Sequence, residues 1–192
     1  MKFTLFFSLT LSAAFCLTSC TQTPVEKKQE SEVSDQAAKI ARGKYLVTIS
    51  GCNDCHSPKR MGPKGPEIIP ELMLSGYPGT QPVPAFDSKM LSSGFAMFTP
   101  DLTAAAGPWG VSFAGNLTPD ETGIGNWTLE QFKVALTQGK YKGLENNRTL
   151  LPPMPWVNHI DMTHEDLEAM FSYLKSIPAV KNVVPAPLPP AI

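Results

Sequence analysis

Cys52-Asn53-Asp54-Cys55-His56 constrains this chain more than any other stretch. Two cysteines three positions apart sit on one helical turn, and an imidazole follows at once. Such a turn offers two thiols to the same neighbour, with a ring nitrogen beside them. This C-x-x-C-H spacing is that of c-type haem attachment. Each thiol can form a thioether with a haem vinyl group, and the histidine then meets one face of the iron. A thioredoxin-like C-x-x-C calls for a βαβ setting, and a zinc site calls for a second ligand pair. Neither pattern accompanies the motif. The spacing therefore predicts one covalent haem c on Cys52 and Cys55, with His56 as an iron ligand.

The other two cysteines lie near the start. Lys2 precedes an apolar run through Phe3, Leu5, Phe6, Phe7, Leu9 and Leu11 to Leu17. That run is the length of a signal-peptide core and too short to span a bilayer stably. It ends in Leu17-Thr18-Ser19-Cys20, which resembles a bacterial lipobox; the alternative is an ordinary secretion signal with an incidental cysteine. The resemblance implies that residues 1–19 are removed, taking Cys16 with them, and that Cys20 carries lipid. No thiol then remains for a disulfide. Lipobox processing and haem attachment, as known for such families, both belong outside the bacterial cytoplasm. The expected location is the cell envelope, lipid-anchored and facing the periplasm or cell surface. Residues 20–35 are polar, charged and poor in large apolar groups, and read as a flexible tether.

Residues 36–178 suit a single domain. Nineteen prolines and fourteen glycines imply much ordered loop. Three segments carry helical periodicity. The first runs from about Asp35 to Ser50, with Ile40, Gly43, Leu46 and Val47 facing inward. The second runs from about Leu129 to Thr137, opened by a Thr128/Gln131 capping box, with Phe132 and Leu136 as its stripe. The third runs from about His164 to Ser176, capped by Thr163, with Leu167, Met170, Phe171 and Leu174 on one face. Residues 179–192 are proline-rich and read as an extended tail rather than a packed element. Between His56 and Asn116 no clear period emerges. Its aromatics argue for an ordered wrap, with a short hairpin around Gly76–Gly94.

A first helix running into C-x-x-C-H and a last helix bearing Phe171-Ser172-Tyr173-Leu174-Lys175 resemble the class I cytochrome c fold. The resemblance implies a mainly α fold around the haem, here with a long Pro/Gly-rich insertion. It also implies a close crossing of first and last helices, with Gly43 and Tyr173 at the contact.

The iron needs a sixth ligand or an open site. Met154, in Leu151-Pro152-Pro153-Met154-Pro155-Trp156, is the preferred candidate. A thioether is a soft neutral ligand that favours ferrous iron, and flanking prolines stiffen its loop. Met97 and His159 are the rivals; Met170 reads as core and His164 as a solvated first-turn residue. A further set of segments comprises Asn116-Leu117-Thr118-Pro119-Asp120, Thr122-Gly123-Ile124-Gly125, Trp127-Thr128, Gln131-Phe132, Gly139 and Leu151–Pro155. Together these resemble the haem domains of cytochrome subunits serving bacterial periplasmic dehydrogenases. Those subunits commonly carry several C-x-x-C-H motifs, and this chain has one, which suggests a single-step shuttle. In that family the Asn116 and Trp127 segments pack beside the haem, so the resemblance implies that these two side chains reach the propionates. Trp127 could instead be a helix staple against the core.

These readings converge on an electron carrier, not an enzyme. It would pass single electrons between redox partner proteins such as a dehydrogenase or a terminal oxidase. The alternative is a haem enzyme or gas sensor with an open or labile sixth site. A formal net charge of −1 argues against nucleic-acid binding. Lys59, Arg60 and Lys64 form a candidate local steering patch.

Overall fold

A computed structural model describes residues 24–190, with side chains from residue 32 onward. The signal segment 1–19 and Cys20 lie outside the described residues. The chain divides into two compact units, one up to Ser34 and one from Asp35 on. Every haem-site candidate described below belongs to the second.

The first helix, α1, spans Pro24–Ile49 and so starts well before Asp35. Pro24 suits a first helical turn, and Glu26, Lys27, Lys28, Gln29 and Glu30 are strong helix formers. No described helix is long and apolar enough to cross a membrane. Helix α2, Cys52–His56, holds the haem motif. Helix α3, Ser88–Ser92, is short and capped by the Asp87 side chain. Helix α4 spans Leu129–Thr137 with the expected Thr128/Gln131 capping box, and α5 spans His164–Ser176 with Thr163 as its cap.

The helical core is built by α1, α4 and α5. Leu46, Val47, Phe132, Leu136, Leu167, Met170, Tyr173 and Leu174 are all buried in one cluster. Phe132 of α4 and Phe171 of α5 stack with ring centroids 5.4 Å apart. Where α1 crosses α5, a Cβ on Gly43 would fall inside the Ala169 carbonyl and 2.8 Å from Tyr173 Cβ. The expected glycine–aromatic crossing is present. At the rim, Lys39 pairs with Glu168 at 2.6 Å and Arg42 with Asp166 at 2.9 Å.

A mainly α description is incomplete, because the segment after the haem motif folds into strands. Strands β1 (Lys59–Gly62) and β2 (Gly65–Ile68) form a hairpin. Strands β3 (Met97–Phe98), β4 (Ala104–Gly107) and β5 (Gly110–Phe113) form a three-stranded antiparallel sheet. The hairpin expected around Gly76–Gly94 is absent; that stretch holds loop and α3. These strands carry little pattern in the sequence, because each is two to four residues long, Pro66 falls inside β2, and Ala104-Ala105-Ala106 is buried throughout. Such a strand shows no alternation.

The proline-rich tail is extended, yet it is bonded to the domain. Val111 and Leu188 exchange both backbone hydrogen bonds, at 2.9 and 3.0 Å. Asn182 is tied to two separate loops, one at Ser75–Gly79 and one at Thr122.

Candidate functional site

Helix α2 presents its residues as the spacing required. Cys52 and Cys55 are free thiols, each partly exposed. Burial pushes the Cys52 thiol up to about 11, and burial together with Asp54 raises Cys55 as well. In both, burial disfavours the thiolate form.

The side chain of His56 is oriented by one bond. Its Nδ1 lies 2.7 Å from the Gly115 carbonyl oxygen. A carbonyl can only accept, so Nδ1 carries the hydrogen and Nε2 keeps its lone pair. That is the tautomer an iron ligand needs, fixed by a neighbour rather than left to solvent. Burial lowers the His56 pKa, and the Gly115 bond works against that shift.

Backbone behind the motif is pinned at several points. Ser57 is fully buried; its hydroxyl donates to Asn53 Oδ1 at 2.8 Å and accepts from the Leu74 amide at 2.9 Å. Leu74 is itself fully buried with a φ of 61°, a left-handed conformation rare for leucine. The Gly76 amide donates to the His56 carbonyl at 2.8 Å. Gly76 has a φ of 79°, and a Cβ there would meet the Ala114 and Gly115 backbone. Only glycine lets this loop lie flat against the residue that orients His56.

Lys59 plays a role the sequence did not suggest. Its ammonium lies 2.7 Å from the Asp54 carbonyl, 3.0 Å from those of Ser57 and Asp101, and 3.2 Å from that of Asn53. It therefore sits at the C-terminal, negative end of α2 and ties it to the loop before β4. Lys59 is not free to steer a partner, and Arg60 faces Glu67 across the β1–β2 ladder. Of the expected basic patch, Arg60 and Lys64 are left as exposed charges.

Met154 is partly buried and packs against the helical core. Its loop is tethered by Ser112 of β5, whose hydroxyl donates to the Pro152 carbonyl at 2.6 Å. The chain leaving β5 reaches Gly115 two residues beyond Phe113. One strand thus supports both the acceptor for His56 and the loop of Met154. Among the rivals, Met97 lies in β3 and is partly exposed. His159 is buried, and its Nδ1 has no hydrogen-bond partner among the described residues. Burial lowers the His159 pKa.

The two residues expected at the propionates differ. Asn116 is buried and spends its amide hydrogens inside the protein, on Val180 O at 2.8 Å and Thr122 Oγ1 at 3.2 Å. Its Oδ1 accepts from the Thr118 amide and hydroxyl. This side chain clamps a loop, and both its amide hydrogens are engaged within the protein. Trp127 is partly buried against the core, and its indole N–H makes no hydrogen bond among the described residues.

The donor set fits a covalently attached haem. Cys52 and Met154 pack against the same buried core as partly buried Leu117, Trp127 and Met73, and the motif adds the Cys55 thiol and a histidine whose Nδ1 is bonded to Gly115. Among the described residues no cluster of three His, Cys, Asp or Glu side chains could hold a bare metal ion instead.

No protein-family model matches the chain. Curated relatives do. The fructose dehydrogenase cytochrome subunit of Gluconobacter japonicus is 26% identical over 188 residues, covering 94% of this chain and 31% of that protein. The gluconate 2-dehydrogenase cytochrome c subunit of Pantoea cypripedii is 30% identical over 142 residues, covering 72% of this chain and 24% of that protein. The cytochrome c subunit of a quinone alcohol dehydrogenase from Gluconobacter oxydans is 28% identical over 137 residues, covering 71% and 21%. The chain spans about a third or less of these proteins. At this modest identity they support a cytochrome c-like family.

Proposed function

We propose that this chain is a mono-haem c-type cytochrome that carries single electrons. Cys52 and Cys55 would hold the haem, His56 Nε2 and Met154 Sδ would ligate its iron, and Trp127 Nε1 would donate to a propionate. When bound, the haem supplies a one-electron Fe(III)/Fe(II) couple. The protein's part is to keep the ligand set unchanged between the two states. Gly115 holds the His56 ring, and the Ser112 tether with its flanking prolines holds the Met154 loop. A lipid on Cys20 would anchor the carrier to a membrane, with residues 20–35 as its tether. Its partner would be a dehydrogenase, by analogy with the complexes that name its relatives. This is a binding and transfer role, not catalysis of a substrate reaction.

The observation that carries this reading is the His56 Nδ1–Gly115 bond inside a C-x-x-C-H turn. A histidine serving only the fold gains nothing from a free Nε2 beside two unpaired thiols. The test is expression with the bacterial haem-attachment machinery, followed by mass spectrometry of the denatured protein. One haem should remain covalently bound, and Cys52→Ala with Cys55→Ala should lose it. A wild-type protein that takes up no covalent haem refutes the reading.

A further inference from the structure

The proline-rich tail is bonded to the domain at Val180–Asn182, and the points of attachment are selective. Asn182 Nδ2 donates to the Ser75 carbonyl at 2.7 Å and to the Tyr77 carbonyl at 2.9 Å. Asn182 Oδ1 accepts from the Gly79 amide at 2.8 Å. The Asn182 amide donates to Thr122 Oγ1 at 3.0 Å. Two residues earlier, the Val180 amide donates to Thr118 Oγ1 at 3.0 Å, and its carbonyl accepts from Asn116 Nδ2. Three residues thus bridge two loops, Ser75–Gly79 and Asn116–Thr122.

Those loops flank Gly115. Gly76 lies against the Ala114 and Gly115 backbone, and the Tyr77 amide donates to the Ala114 carbonyl at 2.9 Å. Asn116 follows Gly115 directly. The Gly115 carbonyl is the group that accepts from His56 Nδ1. Asn182 therefore stands one covalent or hydrogen-bonded step behind each support of that carbonyl. Its planar amide supplies two donors and one acceptor, and all three are used.

We infer that Asn182 is a positioning residue for the haem iron: the Val180–Asn182 strap fixes the Gly115 carbonyl on His56 and so sets the donor strength of that ligand. The inference rests on the reading of His56 as an axial ligand. An Nδ1–H bond to a carbonyl makes the imidazole a stronger donor at Nε2. A stronger donor favours Fe(III). Loosening the strap weakens the bond and raises the reduction potential.

The test uses the full haem-loaded chain with Asn182→Ala, and Thr122→Val as a milder cut of the same strap. The midpoint potential and the His56 Nδ1–H proton resonance of the diamagnetic ferrous state are measured. Asn182→Ala should raise the potential enough to change the Fe(III)/Fe(II) ratio about threefold at fixed poise, about 30 mV at 59 mV per tenfold for one electron. The Nδ1–H proton should move upfield and exchange faster. Thr122→Val should move both the same way by less. Lys181→Ala, which removes an exposed charge between the two anchors, should leave the Nδ1–H proton where it was. A variant that melts lower yet keeps the wild-type potential and Nδ1–H signal makes Asn182 a structural clip only and overturns the inference. Should His56→Ala leave the axial ligation of the haem unchanged, the underlying reading fails instead, and the two failures are distinct.

Discussion

Gly43→Ala sets two effects of opposite sign against each other. Helix propensity favours alanine over glycine in a helix interior by about 1 kcal/mol. Packing opposes it. The new Cβ would overlap the Ala169 carbonyl and stand 2.8 Å from Tyr173 Cβ. Backbone and a Cβ are not flexible ends that can swing aside. The helices must part, loosening contacts among Leu46, Val47, Leu167, Met170 and Leu174, each buried to within 5%. Fully exposing one such side chain costs about 1.5–3 kcal/mol. Partial separation spread over five of them costs about 3–4 kcal/mol by the same measure. Net of propensity, the expected destabilisation is about 2–3 kcal/mol. For a domain of this size that lowers Tm by about 5–10 °C. Thermal and urea unfolding of the haem-loaded protein read it directly. Ala41→Gly, at an exposed position two residues earlier on α1, calibrates propensity and should cost about 1 kcal/mol. A Gly43→Ala protein as stable as wild type would refute the close crossing.

Further expectations follow from the same contacts. Lys59→Met removes an ammonium shared among four carbonyls at a partly exposed site; urea unfolding should show a cost of about 2–4 kcal/mol, and Lys59→Arg should recover part of it. Ser112→Ala frees the Pro152 carbonyl, so stopped-flow CO binding to the ferrous protein should speed up while stability falls by about 1 kcal/mol. Glu168 is held below the usual carboxylate range by Lys39, and Asp120 by Thr122. Depressed carboxyl values mean stability that is present above the unfolded value and lost as pH falls through the folded one. Melting curves should therefore fall on the acid side, and Glu168→Gln should flatten that fall slightly, because the pair is exposed.

Much of the helical frame was legible in residue order. The Thr128/Gln131 box, the Thr163 cap and the Gly43/Tyr173 pair are local signals whose meaning does not depend on distant residues. The C-x-x-C-H turn is likewise local. The groups that orient it were not legible. Gly115 acts through a backbone carbonyl, which no side chain announces. Asn182 sits among prolines that read as a linker, and its partners lie about a hundred residues away. Lys59 looked like a surface charge because a sequence does not show which carbonyls converge on it. The partners of Asn116 within the protein, in the strap and at Thr122, were not legible either. The strands after the motif escaped because a buried alanine run and segments of two to four residues carry no period of two.

The most direct test of the account is the CO-difference spectrum of the reduced, haem-loaded protein, recorded for wild type and Met154→Ala. With His56 and Met154 both on the iron, wild type should form no rapid CO adduct, and Met154→Ala should form one fully. A full, rapid adduct in wild type would contradict Met154 as a firm ligand, and with it the six-coordinate electron carrier.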